Sequence, residues 1–198
     1  MGVIVNSYVS VLISEILDWC RGKNWAARVP LLLYFAYVLI RHIANPLYSS
    51  ILGGLNLGIH ELGHIVFGFF GQDLAIAGGT ILQLLAPVFA FFNFYRQKDF
   101  FAMALSFGWL STNFFNIAVY VGDARSLSLP LVSVFGQASV YHDWEYLLGR
   151  MNLLRYDTVI ASGIRFLGVV SMLVCLAGGA WLLWQMACNT DKDIACGK

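Results

Sequence analysis

His60, Glu61 and His64 stand inside "LNLGIHELGHIVFGFFG", residues 55–71, where every other residue except Asn56 is apolar or glycine. On an α-helix, positions four apart share a face. The spacing therefore points two imidazoles the same way, one turn apart. Such a pair can hold one zinc ion, and Glu61 beside it can accept a proton from a water at the ion. Ionisable groups deep in an apolar segment are costly and are usually kept for function. The competing reading is that the three side chains are satisfied within a helix bundle without a metal.

Two histidines do not complete a catalytic zinc site, which ordinarily takes three protein ligands and leaves a fourth position open. The remaining positions on the same helical face, Phe67 and Gly68, offer no ligand, and the run 80–95 has no ionisable residue. The third ligand is therefore expected between Asp123 and Asp143. His142 is the residue expected to supply it, with Asp143 and Asp123 as alternatives. Asp143 also fits the N-cap of a helix beginning "WEYLLGRM", a role for which His142 is not needed. The two can also exchange parts, one as ligand and the other as its hydrogen-bonding support. Asp123 ends an apolar run on which Asn113, Asn116, Tyr120 and Asp123 recur three and four apart, a polar face of the kind that points inward in a membrane helix. Asn113 and Asn116 are candidates for contacts to a substrate or for bonds between helices. Trp144 and Glu145 are expected as an interfacial anchor and a solvated charge.

The elements that must position these groups are apolar. Of 198 residues, 59% are hydrophobic and 12% charged, about half the charge of a soluble domain. The mean hydropathy is +0.72. The expected fold is an all-α, polytopic membrane helix bundle of about five spans, over 29–44, 51–71, 81–95, 100–121 and 158–186, in a single domain over 1–198. Residues 1–20 have apolar positions at helical spacing. They are expected to form an amphipathic helix at the membrane surface or a sixth membrane helix. They lack the basic start and small-residue cleavage site of a signal peptide. The stretch "GQDLAIAGGT", 71–80, is poor in helix signals and is expected as a turn or short extended segment. His42, beside Arg41, is expected at the membrane interface.

Twelve basic and eleven acidic residues give a net charge of +1, without a basic stripe for nucleic acid. The four cysteines lack CxxC spacing, so neither a disulfide framework nor a thiolate zinc site is expected. With five alternating spans, Arg21, Lys23 and Arg28 share one side with Arg125, Arg150 and Arg155. Arg96, Lys98, Lys192 and Lys198 take the other. This distribution favours a cytoplasmic amino terminus.

"HELGH" within an apolar span of a compact chain resembles the site-2 protease class of intramembrane zinc metalloproteases. The resemblance implies two His and one Asp as zinc ligands and Glu61 as general base. In that class the Asp follows an Asn- and Pro-containing stretch. The nearest counterpart here is "NFFNIAVYVGDA", which would make Asp123 the ligand, and there is no PDZ-like insert. The expected function is membrane-embedded hydrolysis of a peptide bond in a membrane-protein or peptide substrate. A metal-binding transporter or sensor, with His60, His64 and His142 as a transit site, and a metal-stabilised scaffold without turnover are the alternatives. Glu61 separates them, because a purely structural site has no use for a carboxylate beside the metal.

Overall fold

The structure is a computed structural model that describes the backbone of residues 2–129 and 142–195 and the side chains of 10–129 and 142–189. Every regular element among the described residues is helical. The order is α1 (Gly2–Cys20), α2 (Val29–Ala44), α3 (Gly53–Phe67), α4 (Gln72–Arg96), α5 (Phe100–Gly122), α6 (Asp143–Arg150) and α7 (Asp157–Ala195). The segment before His142, residues 130–141, which is expected to fold back and bring His142 to the bundle, lies outside the described residues.

Helices α5 and α7 form the antiparallel centre. Phe100 and Phe101 at the start of α5 pack with Leu182 and Met186 late in α7, and Cys20 closes the same cluster from α1. At the other end Ile117 and Val121 pack with Ala161. Two hydroxyls lock the pair by donating to backbone carbonyls across the interface: Ser111 Oγ to Gly168 O (2.6 Å) and Ser171 Oγ to Phe107 O (2.7 Å). Helix α2 lies in the groove they leave. A side chain at Gly108 would meet Phe35 at 2.6 Å, so the glycine lets α2 approach.

Glycines also correct the reading of 71–80, which is helical as the first turns of α4. Gly78 and Gly79 cost helix propensity, roughly 1 kcal/mol each relative to alanine. What they permit is backbone contact: a side chain on Gly63 of α3 would collide with the Gly78 carbonyl. The residues that weaken the local helix signal are those that seat α3 on α4.

The directions of α2 and α3 also differ from expectation. Across α3 and α4, His60 meets Gln83 and His64 meets Ala75, so the two are antiparallel. Helix α4 turns back into α5 through 97–99, so α3 runs parallel to α5. Leu32 meets Gly179 while Phe35 and Val38 pack with Met172 and Cys175, so α2 is antiparallel to α7 and also parallel to α5. The expected spans over 29–44 and 51–71 therefore run in one direction rather than alternating. Each is short, at 16 and 15 residues, or about 22–24 Å at 1.5 Å per residue. Arg21, Lys23 and Arg28 thus share an end with Arg96 and Lys98, while Arg125, Arg150 and Arg155 lie at the other.

His42 is 2% exposed and stacks on Phe115 with ring centres 4.3 Å apart, so it is a core residue rather than an interfacial one. Two helical segments, Gln72–Arg96 and Leu154–Asn189, are long and apolar enough to cross a membrane. Large apolar side chains cover much of the outer surface, including Ile51, Leu55, Phe69, Val159 and Phe166.

Candidate metal centre

Helix α3 presents His60 and His64 on the face that packs against α4. Opposite them α4 presents Ala75, Gly79 and Gln83, each four residues from the next and hence on one face. His60 Nδ1 lies 3.0 Å from Gln83 Oε1, and His64 Nδ1 lies 2.8 Å from the Ala75 carbonyl oxygen. Carbonyl oxygens accept only, so both Nδ1 atoms carry the proton. In the neutral imidazoles the lone pairs then sit on the two Nε2 atoms.

Both lone pairs face one carboxylate. Asp143 Oδ2 is 2.9 Å from His60 Nε2 and 3.3 Å from His64 Nε2. Burial would raise the Asp143 carboxyl. Without a metal, protonated imidazoles would donate to it, and those hydrogen bonds overcome burial and hold it below the ordinary carboxylate value. Three acceptor atoms on a partly buried site repel one another unless a cation or added protons lie among them. A single ligand atom from each of the three residues falls within 4.8 Å of the others.

The backbone leaves room for an ion. A Cβ on Gly79 would stand 2.6 Å from His60 Nε2 and 2.7 Å from His64 Nε2, so only glycine keeps the space between the imidazoles open. Donor type, convergence and clearance together fit a small divalent cation held by two nitrogens and one oxygen.

Helix α6 delivers Asp143. Leu148 is fully buried against Ile117, Val121, Ala124 and Ala161, with Trp144 packed on the same cluster. Trp144 is therefore part of the packing rather than a surface anchor, while Glu145 is exposed. Tyr146 Oη and Arg150 Nη2 donate to the two oxygens of Asp73 at the start of α4, at 2.7 and 2.9 Å. Those bonds are exposed and screened by solvent, so they contribute little. Burying Leu148 is worth about 2–5 kcal/mol by the cost of truncating such a side chain, so apolar packing is the main anchor.

His142, the residue expected to be the third ligand, lies outside this group. It is the N-cap of α6, with Nδ1 accepting from the Glu145 N–H at 3.3 Å. Its Nε2 is buried and 3.7 Å from Asp123 Oδ2. The two neighbours have exchanged the parts expected of them: His142 caps and Asp143 reaches the histidines. Asp123, the other alternative, has its oxygens engaged. Oδ1 accepts from Ser126 Oγ (2.6 Å), Ser128 Oγ (2.6 Å) and Ser128 N–H (3.0 Å), and Oδ2 from Leu129 N–H (2.9 Å). Burial would raise its carboxyl, but the Ser126 and Ser128 hydroxyls and the two N–H groups hold it well below the usual range. Asp123 organises the turn after α5 and faces the His142 ring.

Glu61 is half-buried and lies within electrostatic reach of His64 and Tyr120. It makes no hydrogen bond or ion pair among the described residues. Of the polar face on α5, Asn116 is taken up by a bond between helices: Asn56 Nδ2 donates to Asn116 Oδ1 (2.9 Å) and to Thr112 Oγ1 (3.2 Å). Trp109 Nε1 completes the lock on Asn56 Oδ1 at 2.8 Å. Asn113 is fully buried and donates to the Trp109 carbonyl.

Sequence reasoning missed Gln83 and Gly79. A buried amide alone in an apolar run, four residues after a glycine, was the available signal. Gln83→Leu should weaken metal binding about 10- to 100-fold, the usual effect of removing the group that orients a ligand histidine. Competition with a chromophoric chelator measures it, and an unchanged affinity would remove Gln83 from the site.

No family model, curated protein or solved structure matches the chain. The resemblance to site-2 proteases therefore rests on the residues around His60, Glu61 and His64.

Proposed function

We propose that the chain is an integral membrane zinc metalloprotease that hydrolyses peptide bonds at or within the bilayer. The observation that carries this reading is the convergence of His60 Nε2, His64 Nε2 and Asp143 Oδ2, with both Nδ1 protons committed elsewhere and Glu61 unpaired beside them. The membrane part is supported by two long apolar helices and an apolar outer surface. In this reading α2 with α3, then α4, α5 and α7, make four passages. The amino-terminal helix lies at the end that gathers Arg21, Lys23, Arg28, Arg96 and Lys98, which favours the cytoplasm for that end.

His60, His64 and Asp143 would hold the ion. A zinc ion supplies a Lewis acid that polarises a carbonyl and acidifies water. Glu61 takes the proton of the attacking water as its oxygen adds to the carbonyl carbon. Glu61 then hands that proton to the amide nitrogen as the C–N bond breaks, releasing an amine and a carboxylic acid, whose proton then passes to the amine. The three side chains are partly buried, which strengthens these polar contacts relative to bulk water.

Glu61→Gln tests the reading. The amide keeps the shape and cannot take a proton, so the variant should retain metal and lose cleavage of an unfolded membrane-peptide substrate by at least about 10²-fold, the lower range for a general base. Wild-type cleavage by the variant would exclude Glu61 as base and leave the transporter, sensor or scaffold readings.

A further inference from the structure

Tyr120 has no part in the metal group, yet three elements converge on it. Helices α3 and α5 are parallel, and Asn56 fixes their register against Thr112 and Asn116. One turn further along each helix stand His60 with Glu61, and Tyr120. From the side of α6, the His142 ring lies 6.0 Å from the Tyr120 ring, tilted by 45°, and Asp143 is the next residue. Glu61, Asp143 and Asp123 are all within electrostatic reach of the phenol. Tyr120 is half-buried, and its hydroxyl makes no hydrogen bond among the described residues.

A phenol with an unused O–H, within electrostatic reach of the general base and the ligand carboxylate, is a donor without a resident acceptor. Asp123 is taken up by its own turn and Asp143 faces the imidazoles, while Glu61 receives the water's proton in the proposed reaction. The one new acceptor that the proposed reaction creates there is the carbonyl oxygen of the substrate as it becomes a tetrahedral oxyanion. We propose that Tyr120 donates a hydrogen bond to that oxygen and is a further catalytic residue of the site, an inference that rests on the proteolytic reading above. The hydroxyl keeps its proton throughout. Water adds to the carbonyl carbon, Glu61 carries the transferred proton to the amine, and Tyr120 only stabilises the charge between those events. Such donors act most strongly where charge develops in a water-poor site.

Tyr120→Phe keeps the ring that packs on His142 and removes only the O–H. Three quantities are read on the purified full chain in detergent: zinc affinity by chelator competition, cleavage of a quenched-fluorescence peptide with apolar residues around the scissile bond, and binding of a phosphinic peptide that mimics the tetrahedral state. The expected result is an unchanged zinc affinity, a kcat lower by about 10²- to 10³-fold with little change in KM, and a comparably weakened phosphinic peptide, as for loss of one oxyanion donor. The phosphinic arm reads the missing bond without turnover. Wild-type kcat and wild-type affinity for the mimic in Tyr120→Phe would overturn the inference and leave the proteolytic reading standing. Loss of zinc by the variant would also overturn it, making Tyr120 a structural support. If the wild-type chain itself neither cleaves the peptide nor binds the mimic, the proteolytic reading fails and takes this role with it.

Discussion

Gly79→Ala should empty the metal centre while leaving the helices intact. The added methyl would stand 2.6 and 2.7 Å from the two imidazole Nε2 atoms and 2.8 Å from His60 Cδ2. Carbon cannot occupy those distances, so the imidazoles must turn away from Asp143 or the ion must be excluded. The helix itself gains, since alanine is favoured over glycine by about 1 kcal/mol in a helix interior. Weaker folding of α4 is therefore not available as an explanation for lost metal. Bound zinc should fall from about one per chain to background, with helical content by circular dichroism unchanged. Gly58→Ala is the control, because a side chain there meets nothing within 4 Å. Full metal content in Gly79→Ala would mean that the ion does not sit between His60 and His64.

The second large effect separates Asp143 from its neighbour. Asp143→Ala removes the carboxylate that faces both imidazoles and should abolish metal binding. His142→Ser should bind nearly normally, because serine is a good N-cap and can take over the bond to the Glu145 N–H. His142→Ala should be weaker than His142→Ser, by the roughly 0.5–2 kcal/mol that a lost cap costs. That graded response identifies a residue that acts through the placement of α6. If His142→Ser loses the metal while Asp143→Ala keeps it, the roles are reversed and the geometry around α6 does not describe the working site.

The contrast between these neighbours shows where sequence reasoning stops. His60, Glu61 and His64 were legible because one helix carries all three and the 3.6-residue period fixes their relative direction. The third member of the group, Asp143, comes from another segment, 79 residues after His64. Which of two adjacent residues faces the site depends on where α6 begins, and helix starts are uncertain by a residue or two. Gly78 and Gly79 misled for a related reason: composition records their low helix propensity, whereas their value lies in a contact with α3 that only the packed pair reveals. Hydropathy located α2, α3, α5 and α7 well. It carries no sign for direction, so two short parallel helices read as two alternating spans. Gln83 was passed over because an amide is neither a titrating group nor a usual zinc ligand, although its oxygen sets which His60 nitrogen faces Asp143.

Metal analysis combined with X-ray absorption at the zinc edge, on protein purified without chelator or added metal, tests the central claim most directly. The expected result is about one zinc per chain, two imidazole nitrogens at about 2.0–2.1 Å and oxygen ligands at about 2.0–2.2 Å, with no sulfur in the shell. The His60→Ala/His64→Ala double variant should show none of it. Protein free of zinc, a shell dominated by sulfur, or an unchanged zinc content in the double variant would contradict a centre built on His60, His64 and Asp143.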